Sequence, residues 1–102
     1  MATSPASDAL REVVEQQHEC RATFREVAHV VESHQGKTVW EGDVSVFDVD
    51  HAEASMAYAW ADPVPGSTRL RYFAVLGKPP VNSASDAVRA AIAARYRNES
   101  AR

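Results

Sequence analysis

The sequence is poor in the residues that form most catalytic and ligand-holding motifs. Its 102 residues include one cysteine, Cys20, which excludes an intrachain disulfide and a zinc site built from cysteine pairs. The four glycines stand singly, so no glycine-rich loop is present to hold a phosphate. No serine lies in a G-x-S-x-G turn, and Cys20 falls on an apolar helical stripe, where a thiol acts as a small hydrophobic group. Nucleophilic catalysis therefore has no motif in its favour.

Long apolar runs are missing as well. No run approaches the ~18 to 20 residues that a membrane-spanning helix needs. The polar start "MATSPASD" lacks the apolar middle of a signal peptide. Together with the single cysteine, these patterns predict a cytoplasmic protein that does not bind membranes.

The histidines and acidic residues do not form a metal-binding motif. His18, His29, His34 and His51 lack the H-E-x-x-H spacing of zinc enzymes. The stretch "DVDHAE" (48–53) has three acids but neither the central glycine nor the ligand spacing of a calcium loop. We expect no metal and no cofactor, and we interpret this stretch as the solvated tip of a hairpin.

Composition predicts one folded domain with an uneven distribution of charge. Apolar residues make up 45% of the chain and charged residues 25%, as in ordinary globular proteins. We assign residues 1–102 to a single domain with flexible ends at 1–4 and 99–102. Residues 1–62 hold twelve acidic and four basic side chains, whereas residues 63–102 hold two and seven. Because the basic residues are scattered, we favour neutralisation between the two parts, or between two copies, over a basic binding face.

The pattern of apolar residues predicts a helix, four strands and a second helix. Ser4 followed by Pro5 is typical of a helix start, and apolar residues then recur every three to four positions. Alternation and turn residues indicate the strands, and Ser83 with Asp86 resembles a capping box before the last helix. The predicted elements are a helix at about 5–20, strands at 25–33, 38–49, 54–61 and 68–76, and a helix at about 84–97.

The segment before Gly36 has two interpretations. Phe24, Val27 and Val31 continue the helical period of the first helix, but one helix of ~30 residues would be about 45 Å long, too long for this domain. Valines also favour a pleated surface. We therefore predict a strand at 25–33 that turns at Gly36 and pairs antiparallel with 38–46. A glycine bulge at Gly42 would explain why alternation changes further along the second strand.

These elements predict a two-layer α+β fold of the order helix, four-stranded antiparallel sheet, helix (αββββα). Both helices are expected on one face of the sheet, which carries the large side chains. That face is predicted to hold Trp40, Met56, Tyr58, Trp60, Leu70, Tyr72 and Leu76. The other face would be left open and is predicted to hold Val39, Ala57, Ala59, Ala61, Phe73 and Val75.

An open apolar sheet face favours self-association, because monomers rarely expose large apolar patches. Our first hypothesis is thus a homodimeric interaction module that also takes a small molecule or a protein as ligand. In a twofold dimer, Arg69 and Arg71 of one copy would meet Glu41 and Asp43 of the other. The predicted interface residues are Ala57, Ala59, Arg69, Arg71, Phe73 and Val75.

Two other functions stay open at the level of the sequence. The first is a small enzyme in which a curved sheet forms an aromatic pocket from Trp40, Tyr58, Trp60 and Tyr72. The second is RNA binding, because the element order and "SASDAVRAAIAARYR" (83–97) resemble the outline of a double-stranded RNA-binding domain. That module needs basic residues at the start of its last helix, where this chain has "NSASDA". We expect a binding protein rather than an enzyme, and we do not expect nucleic acid to be its partner.

Two stretches, "QGKTVWEGDVSVFDVDHAEASMAYAW" (35–60) and "PPVNSASDAVRAAI" (79–92), carry a family resemblance. They are similar to a family of small uncharacterised bacterial proteins that share a GKTVWEG…VFD…AYAW segment and a PPV…AVRAAI tail. The resemblance implies a hairpin around Gln35 and Gly36 and a bacterial, cytoplasmic setting. It implies no activity.

Overall fold

The computed structural model describes residues 6–64 and 66–100. The predicted start of the first helix at Ser4 and Pro5 lies outside them. The described elements follow the predicted order, and the α+β class with a four-stranded antiparallel sheet is confirmed. The elements are α1 (Ala6–His18), β1 (Ala22–His34), β2 (Lys37–His51), β3 (Ala54–Pro63), β4 (Leu70–Leu76) and α2 (Ala84–Ser100). In the part of the chain that the structure describes, no helix has the length and apolar character needed to cross a membrane.

The segment before Gly36 is the strand β1, not an extension of the first helix. It pairs antiparallel with β2, with Val27 opposite Ser45 and Val30 opposite Gly42. Gln35 and Gly36 both have positive φ, 54° and 78°, as a two-residue type I′ hairpin turn requires. The prediction that 25–33 pairs with 38–46 is confirmed.

The sheet has the strand order β1-β2-β3-β4, and its register corrects the predicted faces of β4. Phe73 lies opposite Trp60, and Tyr72 lies opposite Ala61. Cross-strand partners share a face, so Phe73 belongs with Trp60 and Tyr72 with the alanines, the reverse of our prediction. The same correction applies to Leu70, Leu76 and Val75. Large apolar residues occupy both the odd and the even positions of β4. Alternation within this strand therefore does not tell which set lies on the face with the large side chains.

The two helices pack on opposite faces of the sheet, which gives three layers in place of the two we predicted. Leu10 and Val14 of α1 form a core cluster with Phe47, Ala57 and Ala59. In the other cluster, α2 packs against the opposite face. That cluster holds Val30, Val44, Val46, Tyr58, Trp60, Val81, Ala84, Ala87 and Val88. The alanines of β3 let α1 approach closely on a face that we had assigned to solvent or to a partner.

The predicted bulge at Gly42 is wrong. Pairing is continuous through Gly42, and the register instead shifts between Phe24 and Glu26 and between Glu32 and Ser33. From Trp40 to Val49, each residue of β2 has a partner on β1. The apolar residues of this stretch change phase because one end of the strand is covered on both faces. Phe47 is fully buried on the α1 side of that end.

Helix α2 begins with the predicted cap. The N–H of Asp86 donates to Oγ of Ser83 at 3.1 Å, and the carboxylate of Asp86 accepts from the N–H of Asn82 at 3.0 Å. Ser83 is therefore the N-cap residue. The carboxylate reaches one residue further back than in the usual capping box.

Candidate functional site: the open half of the α1 face

Helix α1 covers only one end of its sheet face. Its 13 residues contact the end of the sheet that contains Phe47, Ala57 and Ala59, all of which are fully buried. Towards the β1–β2 hairpin, the same face has no helix over it, and large apolar side chains are exposed there. The residues are Val27 (50% exposed), Val31 (49%), Leu70 (50%) and Tyr72 (42%), which we call the open patch.

The register places these four side chains on one face. Val27 lies opposite Ser45, which lies opposite Ala59 on β3. Tyr72 lies opposite Ala61. Because residues two apart on a strand share a face, Val31 and Leu70 belong to the same surface as these residues. The open patch therefore has one part on the edge strand β1 and another on the edge strand β4.

A charged cluster interrupts the apolar surface on β1 and β2. Nδ1 of His29 lies 2.9 Å from a carboxylate oxygen of Asp43, and Nε2 lies 2.9 Å from a carboxylate oxygen of Glu41. A neutral imidazole has one N–H, so both contacts are hydrogen bonds only when the ring is protonated. The hydrogen bonds to Asp43 and then to Glu41 raise the pKa of His29 above 6.5. We call His29, Glu41 and Asp43 the histidine clamp.

Three of the four predicted pocket residues lie together, and the fourth does not. Trp40, Tyr58 and Trp60 lie on the α2 face, whereas Tyr72 lies in the open patch on the other side of the sheet. Trp60 is 2% exposed and stacks on Phe73, with ring centroids 5.2 Å apart. Burial, followed by the charge of Asp86, raises the pKa of Tyr58. Trp40, Tyr58 and Trp60 pack in the core between the sheet and α2.

The predicted interface residues also separate. Ala57 and Ala59 are fully buried beneath α1, so they cannot touch a partner. Phe73 and Val75 pack against the α2 cluster. Arg71 is exposed but lies opposite Asp62, on the α2 face, and Arg69 is exposed in the segment before β4. The predicted acids Glu41 and Asp43 do lie on the open face, beside the open patch.

The arginine of α2 nearest the predicted RNA-binding position is held by acidic groups. Nε of Arg89 donates to the carboxylate of Glu32 at 3.1 Å, and its guanidinium lies 3.5 Å from Asp86. The hydrogen bond to Glu32 is the main cause that raises the pKa of Arg89. An arginine with two acidic neighbours is poorly placed to neutralise a phosphate.

A cavity of about 470 Å³ lies beside β4, away from the open patch. Its two charged or titratable side chains are already engaged: His18 Nε2 lies 3.0 Å from the carbonyl oxygen of Ala74, and Lys78 donates to Glu53 at 2.8 Å. The remaining lining residues are Ala74, Val75, Leu76, Pro79, Pro80 and Val81. The hydrogen bond from His18 occupies one backbone carbonyl of β4. This carbonyl is then not free to pair with another strand at the edge of the sheet.

The other chemically reactive groups are not arranged for catalysis. Cys20 is half-buried, and burial together with the charges of Asp50 and Glu15 raises the pKa of its thiol. The group thus stays a thiol rather than a reactive thiolate. Within residues 6–64 and 66–100, no three His, Cys, Asp or Glu side chains are grouped so as to hold a metal ion.

Comparison with known proteins adds no family. No protein-family model matches the chain, no curated protein is significantly similar to it, and no solved structure matches it.

Proposed function

We propose that the protein is a homodimeric interaction module and that the open patch is the surface that binds a second copy. The observation that carries the proposal is the exposure of four large apolar side chains, each 42% to 50% exposed, on the α1 face of the sheet. Apolar side chains grouped on an exposed surface often belong to an interaction site. A partner that covers this surface would be stabilised by about 25 cal/mol for each Å² of apolar surface removed from water.

The size of the patch suits a reversible dimer. Four strands about 4.8 Å apart make a face roughly 20 Å wide, and four same-face positions along a strand extend about 20 Å. The footprint of about 400 Å² is about half of the ~800 Å² that each partner buries in a standard interface. An interface of this size fits a weak, transient dimer rather than an obligate one.

The shape of the α1 face favours a second copy as the partner. The axis of α1 lies about 10 Å above one end of the sheet. A second sheet packed on the open half would lie at about the same distance. A twofold axis that crosses the strands at the open patch would seat each open half beside the end of the other copy's α1. Each copy then covers the open half of the other, beside the end of α1. This is the self-complementarity that twofold symmetry requires.

Light scattering with sedimentation velocity, from low to high micromolar concentration, tests the dimer. We expect the mass to rise from 11.2 kDa towards twice that value. Val31→Glu places a charge in the patch and should leave the protein monomeric, with an unchanged far-UV spectrum. The matched control is Ala90→Glu, at an exposed position on α2, which should dimerise like the parent.

A parent that stays at 11.2 kDa at high micromolar concentration contradicts the proposal. Removal of residues 1–5 then identifies the alternative occupant. If the N-terminal segment covers the patch, the shortened chain dimerises and the parent does not. If both forms are monomeric, the patch binds a different partner or none.

A further inference from the structure

We propose that the dimer is controlled by pH through the histidine clamp: it forms while His29 is protonated and dissociates as His29 loses its proton. This inference rests on the proposed dimer and concerns its regulation. It starts from the position of His29 on β1, midway between Val27 and Val31 of the open patch. A copy that covers these two valines also covers the imidazole.

The clamp has a different charge in its two states. With a protonated ring, one positive charge lies between two carboxylates, and each ring nitrogen donates one hydrogen bond over 2.9 Å. The net charge of the cluster is then −1. With a neutral ring, the net charge is −2, and one carboxylate loses its donor. Exposed side chains tolerate this state because water replaces the donor: the His29 side chain is 57% exposed, Glu41 55% and Asp43 69%.

Dimer formation removes that water. Burying a carboxylate without a partner is strongly unfavourable, whereas a carboxylate bound to imidazolium keeps its partner. A twofold axis across the strands also brings the two clamps towards each other, so their charges repel. Protonation of both histidines halves the negative charge on each side and satisfies all four carboxylates. The protonated state therefore binds the second copy more tightly.

Other charged groups do not replace His29 in this role. Strand β1 is an edge strand, so β2 is its only neighbour in the sheet, and it supplies Glu41 and Asp43. On the opposite face, α2 supplies Arg89, which pairs with Glu32 of β1 and with Asp86 of its own helix. The described charged side chains of α1, namely Asp8, Arg11, Glu12 and Glu15, make no ion pair with the clamp among the described residues.

The decisive measurement is the dimer dissociation constant from about pH 6 to about pH 8.5, a window that begins below the ordinary pKa of histidine and extends above it, in the direction of the shift. For the parent, we expect the constant to increase by up to about tenfold per pH unit for each protomer as His29 deprotonates. His29→Gln leaves both carboxylates without a cation and should dimerise weakly at every pH. Glu41→Gln with Asp43→Asn removes the repulsion and should dimerise tightly across the whole window.

The control for general charge is His34→Gln, an exposed histidine next to the hairpin turn and outside the clamp. The chain has a pI near 5.7, so its overall negative charge grows with pH in every variant. His34→Gln should keep the pH response of the parent. A parent that dimerises equally at all pH values, or that shares its response with His29→Gln, overturns the clamp but leaves the dimer intact. A parent that is monomeric throughout overturns the dimer itself.

Discussion

The indole ring of Trp40 lies directly over Gly42, two residues along the same strand. A Cβ atom at position 42 would lie 2.9 Å from Cη2 of Trp40, closer than such atoms approach in folded proteins. The ring has little freedom to move away. Its Nε1 donates to both carboxylate oxygens of Asp62 at 3.1 Å, and it packs edge to face on Trp60 with centroids 6.0 Å apart. The absence of a side chain at Gly42 is therefore a requirement of this aromatic packing.

Replacement of Gly42 by Ala should destabilise the fold by about 1 to 3 kcal/mol, as overpacking does in other cores. Urea unfolding measures the loss. In a Trp40→Leu background the clashing ring is absent, so the same replacement should cost much less. Equal costs in the two backgrounds would show that the ring of Trp40 does not limit position 42.

The face assignment of β4 and its neighbours gives a second prediction. Trp60 is 2% exposed beneath α2, whereas Tyr72 is 42% exposed in the open patch. Trp60→Ala should cost about 3 to 5 kcal/mol. Tyr72→Ala should change the stability of the monomer by less than about 1 kcal/mol. Urea unfolding at low protein concentration provides both values, and a larger loss for Tyr72→Ala would reverse the assignment of the two faces.

Local signals were sufficient to predict the elements from the sequence. The dipeptide of Gln35 and Gly36 specifies a two-residue turn, and valines on both sides favour strands, so the β1–β2 hairpin was predictable. Ser83 and Asp86 similarly specify the start of α2. Such signals act within a few residues of the chain. They determine where a helix or strand begins, but not which neighbours its side chains meet.

The faces and the histidine clamp depend on register, which local signals do not determine. Counting back from the turn, where His34 lies opposite Lys37, would place His29 opposite Gly42. The register shift between Glu32 and Ser33 moves the pairing by one residue, so His29 faces Asp43 instead. One such shift transfers a side chain to the other face. The clamp was therefore missed although each of its residues is visible in the sequence.

The ion pair between Arg89 and Glu32 gives a third prediction. The Glu32 side chain is 11% exposed, whereas Glu53, the partner of Lys78, is 64% exposed. Arg89→Met would leave the shielded Glu32 carboxylate without its donor and should lower the free energy of unfolding, by an amount reduced by the solvent that reaches Arg89. Lys78→Met removes an exposed pair and should change stability by less than about 0.5 kcal/mol. Thermal unfolding of the two variants compares them, and equal losses would mean that the burial of Glu32 has no energetic consequence.

The last prediction concerns His29 in the monomer, at concentrations too low for association. The pKa of His29 in the folded chain is raised above the ordinary 6.5, chiefly by the hydrogen bond to Asp43 and then by that to Glu41. Since the folded form holds the proton more tightly than the unfolded form, the clamp stabilises the fold fully below about pH 6.5. That stabilisation is lost as the pH rises through the raised pKa.

Nuclear magnetic resonance of the histidine ring protons measures the titration directly. Asp43→Asn should lower the pKa of His29 more than Glu41→Gln does, because the contact with Asp43 is the larger cause. Urea unfolding should show the parent losing stability relative to His29→Gln as the pH rises through the titration. If His29 titrates at its ordinary value in the parent, the two 2.9 Å contacts do not hold the proton, and the clamp cannot couple pH to dimer formation.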